Sequence, residues 1–328
     1  MIVVTGGAGF IGSNIIAALS QSGNREIIVC DWFGATDKWR NIARHEVHDI
    51  IRPEALLDFI DQHRMRIECI IHMGAVSSTT ERDVDKIIAA NFRMSCDLWD
   101  WCSKSGTPFI YASSAATYGD GRAGFEDDWK PDALEKLRPL NAYGWSKHAF
   151  DRRVARLAAG GRPKPIVWAG LKFFNVYGPN EYHKDEMRSV VCQIVDTVRR
   201  GETVKLFKSH NPAYPDGGQL RDFVYVKDCA DAVIWLLSQG NYKGIYNIGT
   251  GKARSFADLA HAVFKAMNVP PRIEYVDTPP EIRDNYQYFT QAEMGSLRAL
   301  GYDRPFTELE DGVNDYVQNY LLTGAPYI

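Results

Sequence analysis

A glycine-rich run near the start of the chain limits the folds that this sequence can adopt. Thr5-Gly-Gly-Ala-Gly-Phe-Ile-Gly12 follows the apolar run Met1–Val4 directly and leads into helical spacing from Phe10 to about Gln21. Its glycines fit both the GxGxxG and the GxxGxxG patterns. A strand that turns tightly into a helix needs glycine where its backbone approaches a pyrophosphate, and the helix N-terminus then faces the phosphates. The run therefore predicts a dinucleotide-binding turn between a strand and a helix.

An acidic residue follows the second apolar run. Asp31 comes 19 residues after Gly12, at the end of Ile27–Cys30. A carboxylate at this point hydrogen-bonds the adenosine ribose, which favours NAD because a 2′-phosphate would meet a like charge. Lys38 and Arg40 lie just beyond and could neutralise such a phosphate. The residues alone leave the choice between NAD and NADP open.

Short apolar runs alternate with helical patterns through the first half of the chain. Cys69–His72 and Phe109–Ser113 continue the strand pattern, and about Ala90–Ser103 has helical spacing. Continuous apolar strands that alternate with helices are typical of a parallel sheet covered on both faces. We therefore predict an α/β fold, a doubly wound parallel (Rossmann) sheet with a second, smaller substrate-binding domain.

The alternation loosens after about residue 175. Helical spacing is found in Met187–Arg200, from about Val226, and in Ser255–Met267, while loop-forming residues gather in Ser209–Gly218. We expect residues 1–174 to form the dinucleotide-binding domain, with returning segments near 224–250. Residues 175–328 are expected to form mainly the substrate-binding domain.

Composition excludes several classes of partner. With 328 residues and a formal net charge of −3, the chain gives no electrostatic reason to expect nucleic acid or a membrane surface. No apolar run reaches the roughly 18–20 residues that span a bilayer, and the first residues lack a signal-peptide pattern. The six cysteines are scattered and the histidines show no zinc-type spacing. We expect a cytoplasmic protein with reduced cysteines and no metal site.

Two further motifs point to redox chemistry. Tyr143-Gly-Trp-Ser-Lys147 places a phenol and an ammonium four residues apart, on one face of a helix. We expect the lysine charge and a positive nicotinamide ring to lower the pKa of Tyr143, so that it can serve as a base. Ser114 ends the strand Phe109–Ser113, where open α/β sheets bind ligands, and is expected to hydrogen-bond the reacting hydroxyl. For Ser113 we expect ordinary capping of the strand end.

Together these motifs resemble the extended short-chain dehydrogenase/reductase superfamily of sugar-nucleotide epimerases and dehydratases. Further segments are similar, in particular, to the ADP-glyceromanno-heptose 6-epimerase family, and the likeness covers nearly the whole chain. The segments are Ala75–Glu81, Ser113–Gly119, Asn175–Lys184, Lys205–Phe207, Arg221–Val226, Tyr246–Gly251 and Tyr286–Gln291. The resemblance implies epimerisation at C6 of an ADP-heptose that supplies the inner core of lipopolysaccharide. It also implies tightly held NADP and a homo-oligomer, typically a pentamer.

The resemblance assigns roles residue by residue. Tyr143 and Lys184 would be the two catalytic acid/base groups, Lys147 the cofactor-side partner of the tyrosine, and Ser114 a substrate hydrogen-bond donor. The implied substrate contacts are Ser114, Asn175, Lys184, Gln193, Phe207, Arg221 and Tyr286. The implied cofactor contacts are Gly6, Gly9, Phe10, Ile11, Gly12, Asp31, Trp32, Lys38, Gly74, Ala75, Asn91, Lys147 and Val176.

The chain departs from the family pattern in two places. Trp32 stands where asparagine is common after Asp31, which bears on cofactor preference. The loop-forming stretch Ser209–Gln219 is longer than usual and precedes Arg221, which bears on nucleotide binding.

Other readings of the same residues stay open. A UDP-hexose 4-epimerase needs one tyrosine base and leaves Lys184 unexplained. A 4,6-dehydratase usually has Thr-Asp-Glu where this chain has Ser114-Ala-Ala, and a non-catalytic NADP-binding scaffold would often lose the tyrosine or the lysine. Without the resemblance, Lys184 would count as a solvated turn residue, and Arg221 could pair with Asp222 or Asp228.

Overall fold

The computed structural model describes residues 1–283 and 287–328, and its strands and helices alternate along the first half of the chain. The strands are β1 Ile2–Thr5, β2 Ile27–Cys30, β3 Asp49–Ile51, β4 Cys69–His72, β5 Phe109–Ser114, β6 Trp168–Phe173, β7 Asn175–Tyr177, β8 Val204–Phe207, β9 Leu220–Arg221, β10 Phe223–Tyr225, β11 Lys243–Ile248, β12 Arg254–Ser255 and β13 Ile273–Val276. The α-helices are α1 Phe10–Gln21, α2 Leu56–Gln62, α3 Val84–Ile87, α4 Met94–Ser105, α5 Pro131–Leu134, α6 Ala142–Ala159, α7 Val190–Arg199, α8 Val226–Gln239, α9 Phe256–Ala266, α10 Pro280–Arg283, α11 Gly295–Ala299 and α12 Leu309–Tyr316. Short 3₁₀ segments span Asp37–Asn41, Pro53–Ala55, Arg64–Arg66, Ala115–Tyr118 and Tyr182–Met187, and π-helical turns span Ile88–Arg93 and Val317–Leu321.

A seven-stranded parallel sheet forms the centre of the molecule. Its strand order is β11-β6-β5-β4-β1-β2-β3, with Val4 of β1 opposite Val29 of β2 and Ile71 of β4. Every residue of β1, β2 and β4 is buried, because helices cover both faces of the sheet. Each fully buried valine or isoleucine contributes about 1.5–3 kcal/mol. The predicted doubly wound Rossmann sheet is confirmed.

The direction of winding reverses beside β1. The chain passes from β1 to β2 and β3 on one side, and then from β4 to β5 and β6 on the other. At such a reversal the loops that leave neighbouring strands diverge, and ligands bind in the crevice outside the carboxyl ends of the strands. The glycine run after β1 and Ser114 at the end of β5 lie along this edge.

A second group of elements lies beyond residue 174. β7 pairs with β10 and β8 with β13 in parallel, β9 pairs with β12 in antiparallel fashion, and α7, α9 and α12 enclose a separate hydrophobic cluster. The segment between these pairs returns to the central sheet, since α8 packs on α1 and β11 forms the edge strand beside β6. The division at residue 174 into two functional domains stays a prediction.

The helix starts show where local chemistry sets the element bounds. The predicted helix from Met187 begins at Val190 instead, because Ser189 caps it by accepting the Cys192 N–H at 3.4 Å. Ser255 likewise caps α9, and its hydroxyl accepts the Asp258 N–H at 2.9 Å. The predicted helix near Ala90–Ser103 is divided into a π-helical turn and α4. Throughout the described ranges, 1–283 and 287–328, no helix combines the length and the apolar character needed to cross a membrane.

Candidate active site

The glycine loop between β1 and α1 leaves no room for side chains. Gly6 has φ +64°, and a Cβ placed on it would lie 2.6 Å from the Gly74 nitrogen. A Cβ on Gly12 would lie 2.1 Å from the Gly6 carbonyl oxygen. The N-cap of α1 is Gly9, which has no side chain that could accept hydrogen bonds from the first N–H groups of the helix. The first turn also carries no acidic residue. This cradle of backbone N–H groups fits the pyrophosphate of a dinucleotide.

Asp31 and Lys38 meet beside the glycine loop. The buried Asp31 carboxylate accepts the Ala8 N–H at 2.9 Å through Oδ2, while Oδ1 lies 2.5 Å from Lys38 Nζ. Lys38 also donates to the Trp32 carbonyl at 3.1 Å, and the half-exposed Trp32 indole donates to Glu54. The structure thus brings together three of the predicted cofactor residues at the adenosine side of the loop.

The loop after β4 is held by an asparagine in a π-helical turn. Asn91 is fully buried, its Oδ1 accepts the Val76 N–H at 2.8 Å, and its Nδ2 donates to the Val76 carbonyl and to Ser146 Oγ, both at 3.0 Å. π-helical turns occur often at functional sites, where they aim one residue out of the regular ladder. Asn91 therefore fixes the loop that begins at Gly74 and Ala75 and joins it to α6.

The Tyr143–Lys147 pair lies on α6, which Asn141 caps by accepting the Gly144 N–H at 2.8 Å. Lys147 is buried and donates to the Ala112 carbonyl at 2.7 Å. Burial lowers the pKa of Lys147 to about 8, with the Asp151 charge acting in the opposite direction. Burial likewise raises the pKa of Tyr143, although a hydrogen bond with Ser114 acts to lower it. The predicted lowering of the tyrosine pKa is therefore not found in the protein alone, because desolvation of the phenol outweighs the favourable contacts.

The two serines at the end of β5 have different hydrogen-bond partners in the structure. Ser114 caps the following 3₁₀ turn, since its Oγ accepts the Ala116 N–H at 3.1 Å, and it also hydrogen-bonds Tyr143. Ser113, for which capping was predicted, donates to Asp151 at 2.6 Å instead. The register of β5 against α6 decides this, because α6 brings Asp151 over Ser113.

A buried polar network beneath the Tyr143–Lys147 helix was missed at the sequence level. Lys172 of β6 is 1% exposed, and its Nζ lies 3.2 Å from Asp151 Oδ2 and donates to Thr117. Asp151 also accepts a hydrogen bond from the Tyr111 hydroxyl at 2.9 Å, in addition to the one from Ser113. Two features of the sequence could have predicted this network. Lys172 stands inside the apolar run Trp168–Phe173, and Asp151 follows Lys147 by one helical turn.

Lys184 lies near the glycine loop, on a segment that packs against the 3₁₀ turn Asp37–Asn41. It belongs to the 3₁₀ segment Tyr182–Met187, and its Nζ stands 5.3 Å from the centre of the Phe10 ring. Burial lowers the pKa of Lys184, while the Glu181 carboxylate acts in the opposite direction.

Because neighbouring strands lie about 4.8 Å apart, β1 and β5 with β4 between them are about 10 Å apart. Phe10, which follows β1, and Ser114, which ends β5, therefore lie at the same carboxyl edge of the sheet. Phe10 lies beside Lys184, and Ser114 lies beside Tyr143.

The remaining predicted substrate residues lie along the smaller group of strands. Asn175 is exposed at the start of β7, and Gln193 is exposed on α7, where it donates to the Arg188 carbonyl at 2.8 Å. Gln193 borders a cavity of about 600 Å³ between α7 and β8, the strand that ends at Phe207. Tyr286 lies outside the described residues.

Arg221 of β9 is half-buried and stands 5.6 Å over the Phe256 ring. The two carboxylates proposed as its partners are engaged elsewhere. Asp222 accepts N–H groups of the loop that begins at Thr250, and Asp228 accepts the Thr307 N–H at 2.7 Å.

Comparison with known proteins agrees with this geometry. The family described as "NAD dependent epimerase/dehydratase family" matches residues 2–249. The chain belongs to this family. Within it, the chain is 46% identical to an ADP-L-glycero-D-manno-heptose-6-epimerase of Nitratidesulfovibrio vulgaris and 44% identical to that of Fusobacterium nucleatum subsp. nucleatum, and each alignment covers 100% of both chains.

A solved structure agrees as well. The crystal structure of the Helicobacter pylori ADP-L-glycero-D-manno-heptose-6-epimerase aligns with a TM-score of 0.79 at 27% identity, covering 97% of this chain and 95% of that chain. The family resemblance predicted from the sequence is thus confirmed. Membership of this family also agrees with the interpretation of the glycine loop as a binding site for a nicotinamide dinucleotide.

Proposed function

We propose that this chain is an ADP-L-glycero-D-manno-heptose 6-epimerase, which inverts C6 of the heptose by transient oxidation. One observation on the active site supports this proposal. Tyr143 with Ser114 and Lys184 with Phe10 are carried by segments at the same carboxyl edge of the central sheet, which supports two proton-handling groups at one site. The full-length similarity to proteins of that name supports the choice of substrate.

The chemistry requires a group on each side because the C6 hydroxyl points in opposite directions in the two epimers. A nicotinamide nucleotide, when bound at the glycine loop, supplies the acceptor and then the donor of the C6 hydrogen. Tyr143 takes or returns the hydroxyl proton of one epimer, with Ser114 holding the oxygen, and Lys184 does so for the other. The ketone between these steps turns about the bond that joins C6 to the sugar ring. No net oxidation results.

The lowering of the Lys184 pKa by burial supports its role as a proton carrier. An ordinary lysine, with a pKa of about 10.4, stays charged at neutral pH and cannot accept a proton. Burial of Lys184 shifts its pKa toward neutral pH, which raises the neutral fraction. Lys147 is expected to hold the ribose of the cofactor and to favour the Tyr143 phenolate.

We propose NADP as the cofactor. Lys38 supports this choice, because its ammonium lies against Asp31 and compensates the carboxylate that would repel a 2′-phosphate. Trp32, half-exposed beside them, offers an aromatic surface for adenine. Denaturing the purified protein and identifying the released nucleotide tests the proposal, and release of NAD instead of NADP overturns it.

The substrate contacts that we propose are Ser114, Asn175, Lys184, Gln193, Phe207, Arg221 and Tyr286. Arg221 suits the diphosphate, since its planar guanidinium can make two parallel hydrogen bonds to phosphate oxygens.

The function is tested by incubating the protein with ADP-D-glycero-D-manno-heptose and following the C6 configuration by NMR. We expect inversion by the natural chain, and at least a 100-fold loss, on the order expected for a general base, in Tyr143→Phe and Lys184→Ala. Lys265→Ala, an exposed lysine on α9, serves as the matched control and should stay active. Turnover of a UDP-hexose without any heptose inversion would indicate a 4-epimerase instead. Full activity of folded Lys184→Ala would refute the two-base assignment.

Three further properties are proposed from the same resemblance. We propose a cytoplasmic location, a role in supplying heptose to lipopolysaccharide, and a homo-oligomer, specifically a pentamer. Light scattering after size-exclusion chromatography tests the last point, and a monomer of 37.0 kDa would contradict it.

A further inference from the structure

Buried asparagines join the segment that carries Lys184 to the glycine loop. This asparagine seam consists of Asn14, Asn41 and Asn180, each at most 2% exposed. Asn14, on α1, donates through Nδ2 to the Phe10 carbonyl and to the Pro179 carbonyl, both at 3.0 Å. One side chain thus ties the first turn of α1 to the chain just before the Lys184 segment.

Asn180 sits at the centre of the seam. Its Nδ2 donates to Ser13 Oγ at 3.0 Å and to the Asn41 carbonyl at 3.1 Å, while its Oδ1 accepts the Ile328 N–H at 3.1 Å. Its φ is +74°, in the left-handed region that asparagine tolerates better than most residues. The side chain therefore holds the turn to α1 while the backbone redirects the chain toward Lys184.

Asn41 connects the same turn to the loop itself. Its Nδ2 lies 2.8 Å from the Ala8 carbonyl, 3.1 Å from the Asn180 carbonyl and 3.2 Å from His183 Nδ1. Burial lowers the pKa of His183 to about 4, so the ring is neutral and Nδ1 can accept this hydrogen bond. A hydrogen-bonded path thus runs from Ala8 in the glycine loop to the Asn180 carbonyl, and the ring of the residue before Lys184 lies against the same amide.

The far side of the Lys184 segment is anchored as well. Glu181 is fully buried and accepts hydrogen bonds from Ser189 and from the Tyr316 hydroxyl, the latter at 2.9 Å. Its backbone carbonyl accepts the Lys184 N–H at 3.0 Å. Lys184 therefore projects from a turn that is fixed at both ends, with one end attached to the glycine loop.

We propose that Asn180 and Asn41 are positioning residues that set the Lys184 ammonium against the dinucleotide loop. The proposal rests on the proposed function only in that Lys184 is taken as the second acid/base group. Since leaving buried amides without partners is costly, the seam strongly favours one docking geometry of this segment. Acid/base catalysis needs that geometry, because a displacement of about 1 Å can lower a rate by about 100-fold.

Asn180→Gly tests the inference with little change to the backbone. Glycine accepts φ +74° without strain, so the substitution removes the amide hydrogen bonds and leaves the turn intact. Asn268→Gly is the matched control, because Asn268 also has positive φ (+55°) but is exposed beyond the end of α9. We expect kcat of Asn180→Gly to fall about 10–100-fold, with KM changed less than about two-fold and nucleotide content unchanged.

A second readout follows Lys184 directly and needs no heptose substrate. The pH dependence of acylation of Lys184 by an amine-reactive ester is measured by mass spectrometry in both variants and in the natural chain. In Asn180→Gly the midpoint for Lys184 should move up toward the ordinary lysine value of about 10.4, because the ammonium becomes better hydrated. In Asn268→Gly it should not move. A merely structural role for Asn180 would lower the melting temperature and leave this midpoint in place.

The outcomes separate the two proposals. An unchanged midpoint together with unchanged kcat in folded Asn180→Gly overturns the positioning role. Absence of heptose turnover in the natural chain refutes the proposed function, and the acylation midpoint still decides the role of Asn180. If Asn180→Gly does not fold, Ser13→Ala removes one of the same hydrogen bonds and should shift the midpoint in the same direction by less; no shift there overturns the inference.

Discussion

Lys172→Met tests whether the buried network beneath α6 stabilises the fold. Lys172 and Asp151 are 1% and 0% exposed and lie 3.2 Å apart. Burial lowers the pKa of Lys172, while the neighbouring Asp151 carboxylate acts to raise it. Methionine keeps most of the aliphatic chain, so the substitution removes the charge without opening a large cavity.

The cost follows from what the substitution leaves behind. Removal of one partner of a buried ion pair destabilises a protein by about 3–5 kcal/mol, because the other charge stays buried and uncompensated. Asp151 keeps hydrogen bonds from Tyr111 and Ser113, which favours the lower half of that range. At about 2–3 °C per kcal/mol for a chain of this size, a cost of about 3–4 kcal/mol should lower the melting temperature by about 6–12 °C.

Differential scanning calorimetry at neutral pH measures the effect, with Arg25→Met as the control. Arg25 pairs with Glu46 at 3.4 Å, but the two side chains are 68% and 77% exposed, and ion pairs of this kind contribute little. The control should have the same melting temperature as the natural chain. If Lys172→Met also has that melting temperature, the network does not stabilise the fold.

Three more substitutions probe the site. Gly12→Ala should abolish nucleotide retention, measured as released nucleotide per chain, because the new Cβ would lie 2.1 Å from the Gly6 carbonyl. Arg221→Ala should raise KM for the ADP-heptose by roughly ten-fold or more with a smaller change in kcat, as expected for loss of a phosphate contact. Asp151→Asn should lower the pKa of Lys147 below about 8, since it removes the negative charge that raises it. An NMR titration of the lysine side chains measures this shift, and the protonated fraction of Lys147 at pH 8 should fall.

Matched controls keep these outcomes interpretable. Gly295→Ala, with open space around its Cβ position, should retain nucleotide. Arg122→Ala, a 90% exposed arginine, should leave KM unchanged. Normal nucleotide content in Gly12→Ala, unchanged KM in Arg221→Ala, or a rise in the pKa of Lys147 in Asp151→Asn would each contradict the corresponding assignment.

Local sequence signals predicted the parts of the structure that depend on nearby residues. The strands Ile27–Cys30 and Cys69–His72 and the helix Phe10–Gln21 have the predicted bounds, because continuous apolar runs mark the buried strands and helical spacing marks the helix. The four-residue spacing likewise placed Tyr143 and Lys147 on one helix face.

Features that depend on contacts between distant segments were not predictable in this way. Asn180 meets Ser13 and Asn41 across more than 130 residues, and no spacing rule relates them. Lys172 meets Asp151 only because β6 packs beneath α6. The raised pKa of Tyr143 in the protein alone was not predictable for the same reason, since burial of its phenol is set by the surrounding fold.

Inversion of C6 by transient oxidation within one active site determines what happens to the hydrogen on C6. ADP-D-glycero-D-manno-heptose that carries deuterium at C6, incubated with the protein in ordinary water and followed by NMR, tests it most directly. We expect the L-glycero epimer with the deuterium retained at C6, because the hydrogen is taken and returned without exchange with solvent. Loss of the label to water during inversion, or no inversion at all, would contradict it.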